Sequence, residues 1–174
     1  MSIAIPVHIV AYDPEWPRLA TEQAARLDTL RPPLLVVHHI GSTAVPGLAG
    51  KPVIDLMPVV SRIEAIDARR HELEAMGYRW HGEFGVPGRR FCTLSNEYGE
   101  RIVQLHIYET GSPDARRQLA FRNYLRAFPD VAEAYAEEKR RARDLFPYNS
   151  TDYAHEKGAF IRATEAKALA WFVG

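Results

Sequence analysis

The chain has 174 residues, 22 Lys+Arg against 22 Asp+Glu, and a hydrophobic fraction of 47%. That suffices for one domain with a real core, and the balanced charge leaves no global field to draw the chain to nucleic acid or to an anionic membrane. A single cysteine, Cys92, excludes an internal disulfide and a multi-cysteine zinc site, and a reducing cytoplasm is the expected setting.

The first residues, MSIAIPVHIVAYDPEW, lack the basic region and long apolar run of a signal peptide, and no apolar stretch approaches the length of a bilayer span. Residues 7–11 read as a short extended segment. Asp13-Pro14-Glu15 opens a helix with the acid as N-cap and Pro in the first turn, and Trp16, Leu19, Ala20, Leu27 and Leu30 give it one apolar face. Pro32-Pro33 ends it. Leu34–Ile40 is expected as a first buried strand and residues 52–60 as a second. Ser61-Arg62-Ile63-Glu64 matches a capping box, for a helix reaching about Met76 with Gly77 at C′. A short strand at 78–80, a Gly-rich mobile loop at 81–90, and a hairpin of 90–94 with 101–108 follow. On the second hairpin strand Val103, Leu105 and Ile107 face one way, and Ile102, Gln104, His106 and Tyr108 the other. From about residue 112 the chain reads as helical. Ser112-Pro113-Asp114 starts one helix, Pro129 interrupts it, Asp130 caps a second reaching about Leu145, and Ser150-Thr151-Asp152 opens a third ending near Phe172. Strands and helices first, helices alone last, predict a single α+β domain: a small mixed sheet with packed helices and a helical C-terminal part.

The segment 36–60, VVHHIGSTAVPGLAGKPVIDLMPVV, concentrates the chemistry. Gly41-Ser42 leaves a strand and offers backbone N–H groups to an anion; Gly permits close approach and Ser adds a hydroxyl. Asp55 interrupts a β-branched apolar run, where an acid is costly unless paired or bound to a cation. The bland readings are an ordinary turn for Gly41-Ser42 and, for Asp55, a structural pair with Lys51.

Ile40-Gly41-Ser42, a spacer, and Asp55-Leu56-Met57 resemble the signature of the nucleotidyltransferase superfamily, and HIGSTAVPGLAGKPVIDL resembles one branch of it, the GrpB-type proteins. YDPEW at 12–16, QLHIY at 104–108, GSP at 111–113, LAFRNYLRAFP at 119–129 and YAHEKGAFI at 153–161 extend the resemblance over almost the whole chain. It implies a nucleotidyltransferase-like fold, a nucleotide or other phosphate-bearing small molecule as ligand, and Mg²⁺ or Mn²⁺ held by carboxylates at the site of transfer. The family has no settled reaction. Some relatives are joined to a coenzyme-A biosynthetic kinase, which makes adenine nucleotides and coenzyme-A precursors reasonable first ligands.

The second carboxylate of the signature falls at position 57, one side-chain repeat from Asp55, where this chain has Met57, a soft and weak ligand. The third belongs to a neighbouring strand, for which 101–108 offers Gln104 and His106 but no acid. Two-metal catalysis of the usual kind is therefore not expected. Asp55 and His106 stand as catalytic candidates, and Asp55, His106 and His39 as an alternative site for zinc or manganese. Ligand-binding candidates are Gly41, Ser42 and Lys51; Arg89 and Arg90 as a phosphate clamp; and Tyr153 with Lys157, four apart on one helix. Arg116, Arg117, Arg122 and Arg126 on one helix, and Lys139, Arg140, Arg141 and Arg143 on the next, read mostly as solvated faces, with the rest available for phosphate contacts. Three functions remain open: metal-dependent nucleotidyl transfer to an unknown acceptor, nucleotide or phosphate-metabolite binding without turnover, and a regulatory partner protein acting through the C-terminal helices. Nucleic acid is not an expected partner, and neither is a membrane.

Overall fold

The computed structural model describes residues 6–172. Helix α1 (Trp16–Arg26) precedes strands β1 (Leu34–Ile40) and β2 (Ile54–Val60). The short helices α2 (Ile63–Asp67) and α3 (Arg70–Ala75) lead to β3 (Arg79–Trp80), β4 (Arg90–Ser95) and β5 (Arg101–Glu109). Helices α4 (Pro113–Ala127), α5 (Pro129–Leu145), α6 (Ser150–Glu156) and α7 (Gly158–Trp171) follow. The strands form one mixed sheet in the order β1-β2-β5-β4-β3. β2 and β5 run parallel at its centre, and the other pairs are antiparallel.

Alternation along β2 and β5 divides the side chains between two faces. Ile54, Leu56 and Val60 join Val103, Leu105 and Ile107 in the largest core, against Trp16 and Ala20 of α1 and Leu73 of α3. Leu73 and Leu105 are fully buried, and cutting either to Ala removes about 2–5 kcal/mol of stability. The opposite face carries Asp55 and Met57 from β2 and Gln104, His106 and Tyr108 from β5. Met57 and Tyr108 pack there with Ile40 and with Ala115 of α4. Leu125, Ala132, Tyr135 and Ala136 close a further cluster on Val45 and Leu48 of the β1–β2 connection. The C-terminal helices therefore roof the face that holds Asp55.

Several local expectations are corrected. β1 is an edge strand, with Leu35 and Val36 exposed, and only its ends are buried. Helix α1 begins at Trp16; the Asp13 carboxylate instead accepts from the Glu15 N–H at 2.9 Å, in the turn before it. Ser61 forms no capping box. The Ile63 N–H donates to Glu109 Oε2 at 2.9 Å, so a β5 side chain caps α2 from across the fold. The helix expected through to Met76 breaks into α2 and α3. Pro129 takes the first position of α5, where a missing N–H costs nothing, and Asp130 lies inside the first turn. Asn149, not Ser150, caps α6 by accepting from the Thr151 and Asp152 N–H groups, and the third C-terminal helix is divided at Lys157. The segment expected at 7–11 makes one antiparallel bridge, Val10 to Gly50. The loop expected to be mobile at 81–90 is tied by hydrogen bonds of its own, among them Phe91 N–H to Gly82 O (2.8 Å) and Gly88 N–H to Glu83 Oε1 (2.8 Å).

Candidate functional site

Register fixes the starting geometry. Ile40, the last residue of β1, lies opposite Asp55. The chain then leaves the strand through Gly41 at φ +73° and enters a 3₁₀ turn over Ser42–Ala44. A Cβ at Gly41 would stand 2.7 Å from Asp55 Oδ2. Gly41 is thus required twice, by its left-handed backbone and by the carboxylate pressed against it. A Cβ at Gly50 would meet Ser42 Cβ at 2.9 Å, so a second glycine lets the far end of the loop close on the turn.

The turn and the acid open onto one cavity of about 180 Å³, lined by Ser42, Thr43, Lys51, Val53, Asp55, Gln104, Lys139, Tyr153 and Lys157. Asp55 is flanked on β5 by Gln104, its direct partner across the parallel pair. Oδ1 accepts from His106 Nε2 at 3.0 Å. The Gln104 amide is satisfied when its nitrogen donates to the same Oδ1 at 2.9 Å and its oxygen accepts from Arg101 at 3.2 Å. Among the described residues His106 Nδ1 is buried without a hydrogen-bond partner, and the imidazole and Phe91 ring centroids lie 5.3 Å apart.

Three lysines converge on the cavity. The ammonium groups of Lys51 and Lys157 each lie 4.7 Å from the centroid of the Tyr153 ring. Lys139, on α5, is 1% exposed; its Nζ donates to Ser42 Oγ and, at 2.8 Å, to Ala49 O, and lies 4.3 Å from the Tyr135 centroid. Burial lowers all three pKa values: Lys139 to about 7, helped by Lys157; Lys157 to about 8, helped by Lys51; and Lys51 in the same direction, helped by Arg101. Asp55 opposes the shift in each case. Burial also pushes the Tyr153 phenol up to about 12. Two α4 arginines brace the turn from outside, Arg122 donating to His39 O (3.0 Å) and Arg126 to Ala44 O (2.7 Å).

The structure thus brings together Gly41, Ser42, Lys51, Asp55, His106, Tyr153 and Lys157. It leaves Arg89 and Arg90 elsewhere. Arg90 makes a forked pair with Asp67 at 2.6 and 2.8 Å, and Arg89 is spent on the carbonyls of Glu83 and Phe84. The triphosphate clamp expected of them is not formed. The site expected of Asp55, His106 and His39 is not assembled either. His39 opposes Leu56, on the other face of the sheet from Asp55, and its Nε2 hydrogen-bonds Thr43 Oγ1 at 2.8 Å. Burial, with Arg126 and Arg122 nearby, holds His39 down to about 4. Among the described residues no three His, Cys, Asp or Glu side chains are placed to hold a metal.

The fold suggests divalent ions, but few oxygen donors are free to hold them. Asp55 Oδ1 already accepts two hydrogen bonds, the position beside it is Met57, fully buried in an apolar cluster, and the neighbouring strand presents an amide. That donor set does not fit a pair of hard cations, which need several oxygen ligands.

Reading the sequence does not single out Lys139 from the charged residues around it. The signal lay in its helix: Ala132, Tyr135, Ala136, Lys139 and Ala142 recur at 3.6-residue spacing and are the buried residues of α5. Lys139 stands in that stripe, apart from the solvated arginines around it.

Comparison with known proteins agrees with this architecture. The family described as GrpB protein matches residues 6–167. The UPF0157 protein YqkA of Bacillus subtilis is 36% identical over 97% of this chain, which spans 49% of that protein. A protein named dephospho-CoA kinase, from Mycolicibacterium paratuberculosis, is 30% identical over 95% of this chain and 47% of its own length. The chain therefore spans about half of either relative. The crystal structure of GrpB from Enterococcus faecalis superposes with a TM-score of 0.88 at 38% identity, covering 94% of this chain and 98% of that one. Terminal uridylyl transferase 4 from Trypanosoma brucei, solved with bound dUTP, gives a TM-score of 0.52 at 10% identity over 84% of this chain and 52% of that one. Likeness at that identity is a likeness of fold, and the fold is nucleotidyltransferase-like. No helix among the described residues is long and apolar enough to cross a membrane.

Proposed function

The chain belongs to the GrpB family, and on that footing we propose that it binds a nucleotide or another phosphate-bearing small molecule in the cavity between β2, the Gly41-Ser42 turn and the C-terminal helices. One observation carries the reading: Ser42, Asp55 and three lysines line the same cavity, so hydroxyl and ammonium donors converge where the fold brings strand and turn together. At about 180 Å³ the space is smaller than a typical drug-sized pocket. It suits a phosphate chain, with the organic part of the ligand reaching outward.

Binding without turnover is the form the site favours over nucleotidyl transfer. Met57 stands where the second acid of the signature falls, the neighbouring strand offers Gln104 and His106 but no acid, and the remaining carboxylate is held by His106. Adenine nucleotides and coenzyme-A precursors are the first ligands to try, since a dephospho-CoA kinase is among the relatives.

Calorimetric titration with ATP, dephospho-coenzyme A and adenosine tests the proposal. The two phosphate-bearing ligands should bind and adenosine should not. Lys157→Met should weaken binding about tenfold, the worth of one hydrogen bond to a charged group. Equal affinity for adenosine, or unchanged affinity in both Lys157→Met and Ser42→Ala, rejects it.

A further inference from the structure

The cavity holds more positive charge than the protein neutralises. Lys51, Lys139 and Lys157 line it together with one carboxylate, Asp55. Among the described residues none of the three lysines lies in a salt bridge, although Lys139 is 1% exposed. Their ammonium groups rest on the faces of Tyr135 and Tyr153. Aromatic faces orient a cation without cancelling its charge. Lys139 also donates to Ser42 Oγ and Ala49 O, but neither supplies a counter-charge, and a buried ammonium without one is costly.

On the acid side of the cavity only one oxygen of the single carboxylate is engaged. Asp55 accepts from His106 and Gln104 on Oδ1, while Oδ2 is pressed against Gly41. Where a divalent ion would bring two positive charges on carboxylate oxygens, this chain supplies ammonium groups from α5, the α6–α7 junction and the β1–β2 connection.

We propose that Lys51, Lys139 and Lys157 do the work of the divalent ions, so that the cavity takes a di- or triphosphate chain as the free polyanion, without a metal. This deepens the phosphate-binding reading and rests on it. Ser42 Oγ, which accepts from Lys139, is placed to donate its own proton to a phosphate oxygen. The lowered pKa values of Lys139 and Lys157 add a consequence. The groups facing them are Asp55, Ser42, Tyr135 and Tyr153, with Lys51 and, beyond it, Arg101. An arriving anion favours the charged lysines, so protons are taken up on binding near and above neutral pH. The lysine contribution to affinity then falls as pH rises from about 7 to 9.

Inorganic triphosphate is the probe, titrated calorimetrically into the whole chain in EDTA and in excess Mg²⁺, at neutral and alkaline pH, in HEPES and in Tris. The expected result is binding in EDTA at least as tight as in Mg²⁺, which withdraws the free anion. The heat difference between the two buffers should report proton uptake. Lys139→Met should lose about tenfold or more in affinity and most of that uptake; since Met relieves a buried charge, this variant is expected to fold. Lys157→Met serves as the second variant. Binding that vanishes in EDTA and returns with Mg²⁺ or Mn²⁺ overturns the inference and leaves the phosphate-binding reading standing. Absence of binding under both conditions overturns both.

Discussion

Replacing Gly41 by Ala is the sharpest test of how the Asp55 carboxylate is seated. Two costs add. The backbone sits at φ +73° and ψ −171°, a region essentially reserved for glycine, where an L side chain is strained by about 1–3 kcal/mol. The new Cβ would lie 2.7 Å from Asp55 Oδ2, 3.1 Å from its Cβ and 3.2 Å from its Cγ, so the whole side chain is in the way and not merely its tip. Relief requires Asp55 to swing aside, which loosens its bonds from His106 at 3.0 Å and Gln104 at 2.9 Å. Weakening hydrogen bonds to a charged group removes roughly another 2 kcal/mol. Gly47 supplies the control: its φ is +79°, yet nothing lies within 4 Å of the position its Cβ would take. Gly47→Ala should therefore cost only backbone strain, about 1–2 kcal/mol, against about 3–5 for Gly41→Ala. For a chain of this size that is roughly 2–8 °C against 6–20 °C of Tm. Urea unfolding followed by tryptophan fluorescence reads both. If the two variants unfold within about 0.5 kcal/mol of each other, Asp55 is not held against the turn as described.

Lys139→Met should raise stability at neutral pH, and the gain should shrink towards pH 10. The folded-state pKa near 7 lies below the unfolded value of 10.5. The penalty is thus complete below about 7 and fades as pH climbs through that window, because there only the unfolded chain keeps the proton. Parallel thermal melts at pH 6.5, 8 and 9.5 would show it, and a gap between variant and parent that does not narrow contradicts it. Asp67→Ala strands the Arg90 guanidinium, now 17% exposed and forked onto that carboxylate. It should destabilise by about 1–3 kcal/mol while ligand affinity stays unchanged, and a lost affinity would put Arg90 back among the binding residues. Met57→Asp restores the acid of the signature at a fully buried site among Ile40, Tyr108 and Ala115. The expectation is several kcal/mol of destabilisation on denaturant titration, not a gain of metal affinity.

Reading strands and turns from the sequence worked where the signal is local. Leu34–Ile40 matches β1 to the residue, and β5 alternates as expected, since period-two patterning and glycine punctuation belong to neighbouring residues. Chemistry and resemblance to the nucleotidyltransferase signature group Gly41, Ser42 and Asp55, and the antiparallel return of β2 on β1 brings them together. Local reading failed where the deciding partner is remote. Ser61 lost its capping role to Glu109, 46 residues from the N–H it accepts. Arg90 found Asp67, and Arg89 found carbonyls of its own loop, before any ligand. Lys139 was hidden for a different reason: its neighbours in sequence are solvated arginines, whereas its neighbours along the helix face are alanines and a tyrosine. Edge position also escaped notice, since Leu35 and Val36 are as apolar as any buried strand.

The contact between Lys139 and Ser42 joins points 97 residues apart in the chain. A molecule lodged beside it would touch the sheet-proximal turn on one wall and α5 and α6 on the other, and so would act as a reversible clasp between the early and late halves of the polypeptide. Occupancy then becomes a mechanical matter: the bound form resists prying the helical roof from the sheet, and amide exchange in α5 and α6 slows in step with ligand concentration.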